Sequence, residues 1–193
     1  MTKKREIYIK LIIDSREQNN DWLKAFKFDK KMKKDKIQFL THEKVEPFKC
    51  LDVDGKKVKT STGDVGIQYS FDKVNWFDTN LSIELKKDED FASTLYSSWK
   101  RFSAEIERSK AYGLDFYVVY SQTTRQMHQQ FTKLKYMNKI SYAQQPEKVV
   151  YHRMIDLVDN NVKLLHSHEI HEIVKRIVKH YIKKNKLQYS LDK

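Results

Sequence analysis

The sequence holds one cysteine, Cys50, with only two prolines and four glycines among its 193 residues. A single thiol excludes an intramolecular disulfide framework and a cysteine-rich zinc site. So little glycine and proline argues against a long flexible linker. No apolar run approaches the roughly 18 residues of a membrane-spanning helix. The opening MTKKREIYIKLIIDS does not read as a signal peptide, because Lys10 interrupts its apolar stretch and no small-residue cleavage site follows. A soluble, cytoplasmic protein with no membrane partner is expected. Acid is also in short supply: 26 Asp and Glu stand against 38 Lys and Arg, a net charge of +12. That balance favours a polyanionic partner, nucleic acid above all.

What is present is enough for a real core. Aromatic residues make up 12% of the chain, too many for a disordered one. The length fits a single domain over residues 1–193. No internal repeat occurs. The basic patch KKMKKDK at 30–36 is a solvated loop or a nucleic-acid contact.

Local pattern predicts the elements. IYIKLII at 7–13 is β-branched and apolar, the mark of a buried strand. A short helix is expected over 18–27, with Trp22, Leu23 and Phe26 on one face. Residues 37–60 read as short extended pieces around Pro47 and the turn Asp54-Gly55. Strands are expected at 65–70 and 81–86, with a turn over 71–79. One helix is expected over 90–112, capped by Gly113. Phe91, Leu95, Trp99, Phe102 and Ile106 form its apolar stripe, and Ser93, Ser97, Arg101, Glu105 and Arg108 a polar one. A strand at 114–120, helices at 122–140 and 147–158, a strand at 162–167 and a basic helix at 168–185 follow. The order predicts an α/β fold with a partly parallel sheet flanked by helices.

Four short pieces carry chemistry: Asp14-Ser15-Arg16-Glu17, Gly63-Asp64, Glu84-Leu85-Lys86 and Asp90. Alternate strand residues share a face, so Glu84 and Lys86 point the same way. If Asp64 on a neighbouring strand reaches the same point, two carboxylates can hold a divalent cation. Hard oxygen ligands favour Mg²⁺ or Mn²⁺, which would polarise a phosphodiester and lower the pKa of a bound water. Lys86 would orient that water or neutralise developing charge. The plain alternative is an exposed strand bearing a Glu–Lys pair.

Taken together these pieces resemble the XPF-type nuclease domain, a branch of the PD-(D/E)XK, restriction-endonuclease-like superfamily. LIIDSREQ matches its first motif through Asp14, Arg16 and Glu17. TGDVGIQ matches the second through Gly63 and Asp64. IELKKDED matches the third through Glu84, Lys86 and Asp90. The following helix matches through Ser93, Arg101, Glu105 and Arg108. The resemblance covers about residues 7–121, which would form the nuclease core, and continues more loosely over 122–193.

It implies a restriction-endonuclease-like mixed central sheet flanked by helices. It implies a metal-dependent DNA endonuclease acting on branched or flapped DNA in repair or recombination. Asp64 and Glu84 would bind Mg²⁺ or Mn²⁺, with Asp90 and the Leu85 carbonyl assisting and Lys86 serving the attacking water. Asp14, Arg16 and Glu17 would shape the rim. Ser93, Arg101 and Arg108 would contact DNA, although the arginines could instead pair internally with Glu17 or Glu105. Leu85 stands where the family has arginine, which puts that arginine's substrate contacts in doubt. No Gly-rich hairpin motif or P-loop appears, so DNA affinity would come from the domain itself, its basic helices, or a DNA-binding or helicase partner. A stand-alone bacterial or phage member fits this composition. A non-catalytic DNA-binding or assembly subunit on the same fold is the competing account, opposed by the retention of Asp64, Glu84 and Lys86.

Three further features are weighed on their residues. HSHEIHE at 166–172 lacks the H-E-x-x-H spacing of a zinc helix and reads as a solvated helix start. The polar, cationic segment holding Gln126, His128, Gln129, Gln130, Lys133, Lys135 and Tyr136 could follow a DNA backbone or simply be solvated. The apolar face of the last helix, with Ile170, Ile173, Val174, Ile177, Val178 and Ile182, favours a core helix over a homodimer interface.

Overall fold

A computed structural model describes residues 5–14, 35–45, 49–51, 57–59 and 63–188. Arg16, Glu17, the helix expected over 18–27, most of the 30–36 patch and the turn at Asp54-Gly55 lie outside the described residues.

The strands are β1 (Ile7–Asp14), β2 (Ile37–Val45), β3 (Lys49–Leu51), β4 (Lys57–Lys59), β5 (Val65–Ser70), β6 (Phe77–Lys86), β7 (Asp115–Tyr120) and β8 (Lys163–His166). The helices are α1 (Asp90–Tyr96), α2 (Trp99–Ala111), α3 (Thr124–Tyr136), α4 (Pro146–Asp159) and α5 (Ile170–Lys184). Six strands form a sheet in the order β2-β1-β5-β6-β7-β8, and β3 and β4 form a separate hairpin. The sheet is mixed: β1 runs parallel to β2 and β7 parallel to β8, while β5 is antiparallel to β1 and β6. This is a mixed α/β fold of the restriction-endonuclease-like kind.

The chain divides into two compact units, one of residues 1–83 and 169–193, the other of residues 84–168. In the first, Ile7, Ile9, Leu11 and Ile13 are nearly inaccessible. A strand buried on both faces reads as a continuous apolar run, which is why β1 was plain in the sequence. Helix α5 belongs to this unit. Its Val174, Ile177, Val178, Tyr181 and Ile182 are buried, so this apolar face is spent within the chain. The Tyr181 hydroxyl donates to the Asn80 side chain, and Lys179 pairs with Asp35.

In the second unit Phe91, Ala92, Leu95, Phe102, Ile106, Phe116, Val118, Met127, Phe131, Val150, Leu157 and Val162 form one core. Gly113, at φ +62°, ends α2: its N–H donates to the Lys110 carbonyl at 2.9 Å, and that of Leu114 to Ser109 at 2.8 Å. This is the paired helix-terminating bond that a left-handed residue permits. Thr123 caps α3, its hydroxyl accepting from the Gln126 N–H at 3.2 Å. Pro146 opens α4, where its missing N–H costs nothing.

Two expectations need correction. The helix expected over 90–112 is two helices, broken at Ser97-Ser98. The N–H groups of Ser97 and Ser98 both reach the Ser93 carbonyl, at 2.9 and 3.2 Å, and Ser97 Oγ donates to it at 2.9 Å. Serine hydroxyls compete for backbone partners in this way and interrupt helices. The polar stripe from Ser93 to Arg108 is therefore not continuous. The strand expected at 81–86 begins at Phe77, and the preceding turn is shorter. Its first residues are polar or exposed. They are held by cross-strand contacts, Gln68 to Asp78 at 2.8 Å and Tyr69 against Phe77 at 5.4 Å between rings.

Candidate active site

Strand β6 ends in Glu84-Leu85-Lys86, three residues that are all buried. Alternation along the strand sets Glu84 and Lys86 on one face and Leu85 on the other. Lys86 Nζ lies 2.6 Å from Glu84 Oε1 and 3.5 Å from Asp90 Oδ2, and 5.7 Å from the Phe102 ring centre. Glu84 is 6% exposed, while the Asp90 carboxylate at the start of α1 is open to solvent. Burial pushes the Glu84 carboxyl above its ordinary range, against the pull of Lys86. The negative charge of Asp90 adds to the rise and Arg101 opposes it.

The next turn of the second unit extends this centre. Arg101, Glu105 and Arg108 lie one above another on α2, at helical spacing. The Glu105 carboxyl is pushed up to about 7, first by burial and then by the charge of Glu84. Lys86, Arg108 and Arg101 pull it back. Arg108 Nε is buried with no hydrogen-bond partner among the described residues. The result is one ammonium held by the buried Glu84 with the exposed Asp90 at its edge, and beyond it a half-buried Glu105 flanked in sequence by two guanidinium groups.

The 87–90 turn is fastened to the end of β7. The Lys86 carbonyl accepts from the Ser121 N–H at 3.1 Å, and the Asp88 N–H donates to Ser121 Oγ at 2.9 Å. Beside it runs a chain of buried amides. Gln122 Oε1 accepts from the Ala92 N–H at 2.9 Å, and Gln122 Nε2 donates to Gln130 Oε1 at 2.7 Å. Gln130 Nε2 donates to Ser93 Oγ at 2.8 Å and to the Glu89 carbonyl at 3.2 Å. Ser93 is thus tied to α3 rather than grouped with Arg101 and Arg108. Gln122 was not marked by the sequence, and Gln130, expected to follow a DNA backbone or be solvated, is instead 6% exposed and bonded within the chain; no charge, spacing or periodicity distinguishes a structural amide from a solvated one.

Asp14 and Asp64 belong to the first unit. Asp14 is 3% exposed and ends β1. Its N–H donates to the Asp64 carbonyl at 3.0 Å, and the Asp64 N–H donates to the Ile83 carbonyl at 2.9 Å. Gly63 makes this approach possible. Its φ is +79°, and a Cβ there would collide with Ser82 Oγ and lie 3.1 Å from the Ile83 carbonyl.

Among the described residues no group of three or more His, Cys, Asp or Glu stands close enough to hold a metal. His166 and His168 stack edge to face at 4.9 Å, and His171 lies 3.5 Å from Glu172. No described helix is long and apolar enough to cross a membrane.

No family model and no curated protein matches the chain. Its fold is similar to the solved structure of XPF from Aeropyrum pernix in complex with DNA, with a TM-score of 0.50 at 12% identity. The match covers 91% of this chain and 66% of that one, so the chain spans about two thirds of the XPF chain's length. The likeness is one of fold: a mixed α/β, restriction-endonuclease-like architecture.

Proposed function

We propose that this protein is a divalent-metal-dependent DNA endonuclease that hydrolyses phosphodiester bonds in branched or flapped DNA. The observation that carries the reading is the buried Glu84–Lys86 pair at 2.6 Å, with Asp90 3.5 Å from the same ammonium. Burying an ion pair is a poor way to gain stability, because desolvation offsets the attraction. It is a good way to place charge where a reaction needs it.

The residues fit a hard cation. Mg²⁺ keeps several waters and takes only one or two carboxylates, so Glu84 with Asp90 and the Leu85 carbonyl suffices without a larger protein cage. Asp64 is the further carboxylate that the order of motifs implies. Bound Mg²⁺ or Mn²⁺ would polarise the phosphodiester and acidify a water. The Lys86 ammonium would orient that water or meet the charge growing on the phosphoryl oxygens. The water oxygen would bond to phosphorus and give up a proton to solvent, one P–O ester bond would break, and the departing sugar oxygen would take up a proton from solvent. Arg101, exposed on α2, would grip a backbone phosphate, and Arg108 would support Glu105. Asp14, with Arg16 and Glu17, would shape the rim.

Two measurements test this. Mn²⁺ titration by calorimetry should show binding that Glu84→Gln weakens at least tenfold. End-labelled flap, fork, four-way junction and duplex DNA in Mg²⁺ or Mn²⁺ should show cutting of the branched forms first. Binding of all four DNAs with no cutting in either metal would leave a DNA-binding subunit as the account.

A further inference from the structure

We propose that a second site, a cleft in the unit of residues 84–168, holds an unpaired nucleobase of single-stranded DNA whose phosphates run along α3. The cleft has a volume of about 310 Å³ and is lined by Phe91, Tyr120, Met127, Tyr151, Met154 and His166. That is the low end of small-ligand sites, the size for one heterocycle rather than a folded partner. It opens where the parallel strands β7 and β8 end, at Tyr120 and His166, the side of such strands where ligands collect.

Its walls suit a flat, polarisable ligand. Phe91 and Tyr120 stack at 4.0 Å with their planes 10° apart, and Tyr120 meets His166 edge to face at 5.3 Å. Tyr151 stays 40% exposed. A polar floor completes the cleft, because Gln122 lines it as well. Its amide has one donor committed to Gln130 and one lone pair to Ala92. A primary amide has a second of each, which would read the edge of a base. Duplex bases are stacked and paired, so a base entering here must be unpaired.

A separate observation supplies the backbone path. An open groove along α3 is lined by Arg125, His128, Gln129, Lys133 and Tyr136, and Thr124 lines both this groove and the cleft. From Asp115 to Glu147 the chain contains no other acid, yet it carries Arg125, Lys133, Lys135 and Lys139. Tyr136 is 81% exposed. Cations in line with exposed aromatics are what the phosphates and bases of a single strand require. Phe91 follows Asp90 in the chain, so a captured base would lie beside the candidate centre. Only that last link, from the captured base to the strand being cut, rests on the nuclease reading.

The test is fluorescence anisotropy in EDTA, where no hydrolysis intervenes, with oligodeoxynucleotides carrying 2-aminopurine. Wild type should bind the single strand more tightly than the same sequence as duplex, and should quench the 2-aminopurine. Tyr151→Ala should lose about tenfold or more in affinity, the scale of one stacked base, while Tyr151→Phe retains it. Lys133→Gln should weaken binding and flatten its salt dependence. Tyr142→Ala, which lines neither cleft nor groove, should bind as wild type. Circular dichroism confirms that each variant is folded. Unchanged affinity in folded Tyr151→Ala, an unquenched probe, or tighter binding of the matching RNA would overturn the proposal. Because metal is absent, failure to cut DNA in the separate cleavage assay would leave this result standing. Active cleavage together with unaltered Tyr151→Ala binding would remove the cleft alone.

Discussion

At the scale of single residues, the Glu84–Lys86 pair makes opposite demands on stability and activity. Removing one partner strands a buried charge, at a cost of about 3–5 kcal/mol. Lys86→Met should therefore lower the denaturation midpoint sharply. The double variant Glu84→Leu/Lys86→Met should recover most of that loss, because no charge is left to desolvate. All of these variants should lose activity. A double variant no more stable than Lys86→Met would mean the pair is better solvated than its burial indicates. Gly63 gives a second prediction. Gly63→Ala forces a side chain to φ +79° and against Ser82 Oγ, and should cost about 1–2 kcal/mol from the backbone alone. Adding Ser82→Gly should relieve the collision but not the backbone strain, so chemical denaturation should show partial recovery. Much of this centre was legible in the sequence, since strand alternation alone puts Glu84 and Lys86 on one face. The Gln122–Gln130 pairing was not, because it depends on which helix packs beside α1.

At the scale of elements, apolar strands and capped helices announced themselves, and polar segments did not. The continuous run of β1 and the glycine at 113 were enough to fix a strand and a helix end. The first residues of β6 were hidden by their exposure. The break between α1 and α2 was hidden because a serine costs a helix little until its hydroxyl finds a competing backbone partner, as Ser97 does at the Ser93 carbonyl. The turn between β5 and β6 is closed by Asp72, whose carboxylate accepts from the N–H of Asn75 and of Val74, each at 2.8 Å. Asn75 Nδ2 and Ser70 Oγ donate to it as well. These bonds hold the Asp72 carboxyl well below the usual carboxylate range. An unfolded Asp72 would titrate near 3.8. Its contribution is therefore complete above that pH and declines as acid approaches the lower folded value. Asp72→Ala should lower the melting temperature at neutral pH, and the gap from wild type should narrow as the pH falls below about 4. A gap independent of pH would assign the loss to packing rather than to the charged turn.

At the scale of the whole molecule, the motif order carried the fold, and composition bears on the partner rather than on the architecture. A net charge of +12 is a statement about association rather than architecture. DNA binding by this chain should weaken steeply between about 50 and 200 mM salt, as counterion release requires. A nearly flat salt dependence would argue that phosphates are not the main contact. The most direct test of the central claim is hydrolysis of an end-labelled flap by wild type, Glu84→Gln and Lys86→Met, each checked for folding by circular dichroism. The wild type should cut in Mg²⁺ or Mn²⁺ and stop in EDTA, and both folded variants should be slower by at least a hundredfold. Cutting at the wild-type rate by either folded variant would contradict the assignment of this pair as the catalytic centre.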